Sequence, residues 1–136
     1  MMIKLHNLSV LFTLTLLLSS MVVHAEEDSV KILSISPTNA KPLIAGSTVA
    51  ITAEVEYTLV SANTASITMV IQRAESGHRP LANEFDVALK GTGKMKITTE
   101  VEIPNTKAIQ VFIPLTPEGN QSTTIVDSRM YKVVSE

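Results

Sequence analysis

Apolar and polar side chains take turns along much of this chain. Over residues 48–59 the odd positions read Val49, Ile51, Ala53, Val55, Tyr57 and Leu59, while the even ones include Thr48, Thr52, Glu54, Glu56 and Thr58. Successive side chains of a strand point to opposite faces, so this spacing predicts a strand buried through its odd face and wetted on its even one. Residues 94–103 repeat the logic, with Met95, Ile97, Val101 and Ile103 inward and Lys94, Lys96, Thr98, Glu100 and Glu102 outward. Shorter runs predict strands at 30–35, at 65–73 with Ile67, Met69 and Ile71 inward, and at 85–89 with Phe85, Val87 and Leu89 inward. Two more follow at 108–115, where Ile109, Val111, Ile113 and Leu115 form the inner face, and at 123–134, whose change of phase between Ile125 and Tyr131 predicts a bulge or a twist.

Turn-forming residues lie between these runs, at 37–46, 61–64, 76–83, 104–106 and 117–122, and Gly91-Thr92-Gly93 reads as a hairpin connection. Seven short strands with no helical segment between them predict an all-β fold, a seven-stranded antiparallel β-sandwich in two layers. Parallel strands need long crossovers, and none of the gaps is long enough for one.

The stretch ILSISPTNAKPLIAGSTVAITAEVEYTLV, residues 32–60, carries a first strand ending in Ser-Pro, a gap closing on Gly-Ser and a long alternating second strand. In this it resembles the opening of bacterial extracellular immunoglobulin-like and fibronectin type III-like domains, and KMKITTEVEIPNTKAIQVFIPL resembles their later strands. The resemblance spans most of residues 26–136 and implies an immunoglobulin-like sandwich. The chain departs from the antibody type, having neither tryptophan nor cysteine, and Tyr131 stands in the last strand, outside the tyrosine-corner position. Such sandwiches host unrelated activities, so the resemblance implies architecture and leaves function to the residues.

Residues 1–25 have their own logic: a basic start at Lys4, an apolar run over 8–23 and a Val23-His24-Ala25 cleavage pattern, followed at once by Glu26, Glu27 and Asp28. This predicts a signal peptide cleaved after Ala25 and a periplasmic or secreted mature domain over 26–136. The apolar run is short and carries five hydroxyl side chains, which argues against a retained membrane anchor and so against membrane insertion of the mature chain. Of the eleven basic residues only Lys4 lies in the leader, leaving ten against thirteen acidic residues and a formal charge of −3. That balance lacks the basic stripe that nucleic acid requires. The absence of cysteine removes thiol catalysis, thiolate metal sites and disulfides, so packing and strand pairing must supply the stability.

Catalytic and metal chemistry find little support. His78 is the one histidine after the leader, and although Ser76 or Ser122 could be drawn with it and Asp86 or Asp127, no nucleophile elbow accompanies them. Zinc needs more ligands of this kind, and the acidic groups Glu26-Glu27-Asp28 and Glu84/Asp86 lack the alternating calcium loop. The pairs Glu54/Glu56 and Glu100/Glu102 each share the wet face of their own strand, with Lys94 and Lys96 available to oppose some of them. The expectation is therefore a chain with no catalytic residues, no metal and no cofactor.

Two residues stand out of phase: Val70 within 65–73 and Phe112 within 108–115 both face away from the core of their strands. If those strands are neighbours, Val70 and Phe112 form an apolar patch on an outer sheet face, a candidate protein-contact surface. The expected function is an exported, non-enzymatic interaction module that binds a protein partner or itself through a sheet face or an edge strand. The alternative is a small-ligand or carbohydrate binder using the loops near 77–83 and 119–122. Sugar stacking has few planar aromatics to draw on, since only Tyr57, Phe85, Phe112 and Tyr131 follow the leader.

Overall fold

The computed structural model describes residues 26–136 apart from 76, 78 and 121–124. The proposed leader therefore lies outside the described residues, as do Ser76, His78 and Ser122. Six strands follow in order: β1 (Ser29–Ser36), β2 (Leu43–Ile44), β3 (Thr48–Arg73), β4 (Ala82–Glu102), β5 (Ala108–Pro117) and β6 (Ile125–Val134). The fold is all-β, with no helix among the described residues.

The strand count corrects the expected seven, for a topological reason. Residues 61–64 do not turn: β3 runs through them and joins two expected strands into one of 26 residues. Gly91-Thr92-Gly93 likewise makes no hairpin, and β4 continues across it for 21 residues. The two long strands pair with each other antiparallel, from Thr48↔Glu102 to Ile71↔Ala82. The short β2 is added by pairing with β6, and that pair is parallel, so the sheet is mixed and not wholly antiparallel. Two residues of parallel pairing need no crossover within the pair, because β2 reaches β6 from the far end of the chain.

The order β1-β3-β5-β6-β2, with β4 on the other side of β3, splits β3 into two environments. Its first half lies between β1 and the second half of β4. Its second half lies between β5 and the first half of β4. Odd residues of β3 face inward on either side of residues 60–63: Ile51, Ala53, Val55 and Leu59 in one half, Ile67, Met69 and Ile71 in the other, all buried. They join Ile109, Val111, Ile113 and Leu115 of β5, and Ile32, Ile97 and Val101, in one apolar core. No polar or charged residue is buried among the described residues. This arrangement is compatible with a β-sandwich.

The joint between the halves is where β4 loses its phase. Four residues of β3, 60–63, stand opposite the single Lys90, between the pairs Leu59↔Gly91 and Thr64↔Leu89. Leu59 faces in and Thr64 faces out, so their partners Gly91 and Leu89 face opposite ways although they are only two apart. Gly91 takes a φ of 115°, open to glycine and strained for other residues. At Gly93 a Cβ would lie 2.6 Å from the Tyr57 hydroxyl, so the bare glycine lets that ring cross the strand.

The consequence corrects the expected orientation of residues 85–89. Phe85, Val87 and Leu89 share one face, as their spacing requires, but it is the outer face. Phe85 is 64% exposed and Leu89 66%. Glu84 and Asp86, expected outward, stand on the opposite side and are exposed as well, because this end of the strand overhangs the core; Ala88 is its one buried residue before the joint. The bulge expected in β6 is also absent: β5 and β6 pair in unbroken register from Ala108↔Lys132 to Leu115↔Ile125. The irregularity sits instead in β1, between Ile32 and Ser34.

Candidate functional site

The two residues singled out by phase, Val70 and Phe112, are direct partners in the β3–β5 ladder and lie half-buried side by side on the outer face. Register extends this face in both directions. Across β3, Asn83 pairs with Val70, Phe85 with Thr68, Val87 with Ser66 and Leu89 with Thr64. Across β5, Ser128 pairs with Phe112, Met130 with Gln110 and Val126 with Pro114, and Met130 and Val126 are each about half exposed. The outer face of β4, β3, β5 and β6 thus carries apolar side chains along both flanks and a Val70–Phe112 pair between them. Monomeric proteins scatter exposed apolar residues singly, whereas contiguous stretches mark contact surfaces.

The edge of this face is also open. In antiparallel pairing, alternate residues turn both N–H and C=O toward the same neighbour. Ala74 donates its N–H to the Ala108 carbonyl at 3.1 Å and Glu118 to the Thr64 carbonyl at 2.9 Å, so even residues in this half of β3 address β5 and odd ones address β4. The β4 residues that answer are Ala82, Glu84, Asp86 and Ala88, which leaves the backbone groups of Phe85, Val87 and Leu89 turned away from β3. Val87 confirms the direction, since its N–H is taken by the neighbouring Asp86 Oδ1 at 2.8 Å. No described strand pairs with that edge of β4.

At the β1 rim, side chains of β6 meet the backbone at Ile32 and Pro37. At the β1 irregularity the Ile32 N–H donates to Asp127 Oδ2 at 2.8 Å, and Arg129 Nη2 donates to the Ile32 carbonyl at 2.9 Å. Arg129 Nη1 also meets Asp127 Oδ1 at 3.4 Å. Next to them the fully buried Tyr131 donates its hydroxyl to the Pro37 carbonyl at 2.6 Å, and burial pushes its phenol up to about 12. These three side chains of β6 occupy inner positions, and two of them are charged. The polar pair Asp127 and Arg129, spaced by two and set between Ile125 and Tyr131, is the sequence signal that would have located this seam.

A third polar knot holds the joint. Asp28 accepts hydrogen bonds from the N–H groups of Val60 and Ser61, at 2.7 and 3.0 Å, and from the Ser61 hydroxyl. Burial pushes its carboxyl up, but the Ser61 hydroxyl and the two backbone donors outweigh it and hold the group below the usual carboxylate range.

Among the described residues no three His, Cys, Asp or Glu side chains gather to hold a metal. Glu54 stands opposite Lys96 and Glu56 opposite Lys94, the charge arrangement of a solvated strand face. A shallow groove of about 300 Å³ opens beside the outer face, lined by Thr64, Ser66, Val87, Pro117, Glu118 and Gly119 among others. Within it the Thr64 hydroxyl donates to Glu118 Oε2 at 2.5 Å. No helix among the described residues is long and apolar enough to cross a membrane. Comparison with protein-family models returns no match, and neither do searches of curated proteins and of solved structures.

Proposed function

We propose that this chain is an exported, non-enzymatic protein-interaction module with an immunoglobulin-like sandwich architecture, binding through the outer face of β4, β3, β5 and β6. The observation that carries the reading is the exposure of Phe85, Val87 and Leu89 on the same face as the Val70–Phe112 pair. Leaving three large side chains more than half exposed forgoes on the order of 1 kcal/mol each, and a partner covering them recovers part of it. The sandwich reading is supported by the way β3 passes from one group of strands to the other while its odd face stays in a single core. Export is supported by the leader-like pattern of residues 1–25.

The test is affinity capture from the envelope and medium of the cells that make the protein, with the full chain and a Phe85→Lys/Phe112→Lys variant side by side. Proteins held by the native chain should be lost from the variant while its circular dichroism stays unchanged. Identical capture by both would overturn the assignment to this face. The groove beside Gly119 favours a second reading, a small polar ligand such as a sugar, though none of the residues named around it is aromatic. Binding on a glycan array that disappears in Glu118→Ala would favour it.

A further inference from the structure

We infer that the occupant of the open β4 edge is the same edge of a second copy, paired antiparallel about a two-fold axis at Val87. The inference rests on the interaction-module reading and names its partner. Residues 82–90 read Ala-Asn-Glu-Phe-Asp-Val-Ala-Leu-Lys. Only registers that place outward-turned backbone groups opposite each other can form a ladder, so odd residues must meet odd ones. Centring on Asp86 sets Asp86 against its own copy, two like charges directly opposite, which is destabilising. Centring on Ala88 sets Phe85 against Gly91. Gly91 lies beyond the joint, where the Ile103 N–H donates to the Ser47 carbonyl and odd residues of β4 address β3.

Centring on Val87 satisfies every requirement at once. Phe85 meets Leu89 of the second copy, Val87 meets Val87, and Leu89 meets Phe85, three alternate residues whose N–H and C=O groups all face the edge. Their side chains lie on the shared outer face, so the apolar surface of one copy continues into the other. On the opposite face Glu84 meets Lys90 twice, a complementary pair at each end of the ladder, while Asp86 meets Ala88. The joint sets the extent of the interface, because beyond Lys90 the odd residues of β4 address β3 and the even ones face the edge, out of phase with the ladder before it. The second half of β4 is also charged on its outer face, with Lys94, Lys96, Glu100 and Glu102 exposed, the pattern by which natural edges refuse partners. The first half carries no such guard on its outer face.

Sedimentation equilibrium of the full chain should show a concentration-dependent dimer. Glu84→Lys and Lys90→Glu should each weaken it by about tenfold, and the double variant Glu84→Lys/Lys90→Glu should restore it. Val87→Pro removes an N–H that β3 does not use, so it should abolish the dimer and leave the circular dichroism spectrum intact. In this cysteine-free chain, Val87→Cys should cross-link to itself under mild oxidation, since opposed Cα atoms in such a pair lie about 5.5 Å apart. Thr98→Cys should not. A chain that stays monomeric at about 100 μM, or a dimer indifferent to Val87→Pro, overturns the inference. If such a chain still captures a partner that Phe85→Lys/Phe112→Lys loses, the interaction reading stands alone; if it captures none, both fall.

Discussion

Two rims of the molecule, at β1 and at the first half of β4, are finished in opposite ways. At the β1 rim, where the ladder is irregular at Ile32, side chains of β6 supply what a neighbouring strand would: Asp127 takes the Ile32 N–H, Arg129 gives to its carbonyl, and Tyr131 reaches Pro37. At the β4 rim, over residues 82–90, Asp86 alone among the described residues bends back to one N–H, and the side chains above that edge are Phe85, Val87 and Leu89. Buried or half-buried backbone groups must find partners, so a rim that has them in-chain is finished and one that lacks them invites another strand. The contrast teaches that solvent exposure alone does not make an interface here. The open rim is distinguished by outward-turned backbone groups and apolar side chains on the same few residues.

Removing the side chains that close the β1 rim should have the largest effect on stability. Arg129→Ala leaves the Ile32 carbonyl without its charged donor and strips a half-buried stem from the seam, an expected loss of about 1–2 kcal/mol in urea unfolding. Tyr131→Phe should cost about 1 kcal/mol by deleting the hydroxyl that serves Pro37. The same variant sharpens the comparison through pH. The Tyr131 phenol sits at about 12 in the folded chain and near 10 when unfolded, so the unfolded state loses its proton first. Its contribution is fully present below pH 10 and is lost as pH rises toward 12, and Tyr131→Phe should flatten that alkaline decline.

Asp28, at the joint between the two halves of β3, has the opposite sign. Its carboxyl is lowered on folding, so its contribution is present above the ordinary carboxylate range and is lost as pH falls through the folded value. Asp28→Asn should therefore be less stable than the native chain at neutral pH, with the gap closing in acid. The smallest effect belongs to the open rim. Phe85→Ser should change monomer stability by no more than about 0.5 kcal/mol, because the ring has little in-chain packing to lose. A large loss there would mean the ring is packed within its own chain, and the two rims would no longer differ.

How much of this was legible beforehand differs from element to element. The inner faces of residues 48–59, 65–73 and 108–115 were readable because each segment keeps one register with a covered face, and alternation then reports burial directly. Val70 and Phe112 were readable as out-of-phase residues, but their adjacency depended on β3 and β5 being neighbours. Residues 85–89 were misread for a definable reason: alternation says which side chains share a face and is silent on which face is in. There the four residues 60–63 opposite Lys90 reverse the phase of β4, a fact of pairing between positions some thirty residues apart. The seam of Asp127 and Arg129 imitated a bulge, since polar residues at inner positions break the apolar rhythm as a slipped register would.

By itself, then, the order of residues determined that the chain forms strands, which side chains travel together along each one, and that no thiol or histidine cluster is available for chemistry. Those properties follow from backbone geometry and composition, which are local. Only the tertiary structure decided that neighbouring strands run on into one another, that side chains of β6 meet one rim while the other stays open, and that three large apolar side chains face water. Those outcomes depend on which distant segment supplies the hydrogen-bonding partner, and strand pairing is a contact between residues far apart in the chain.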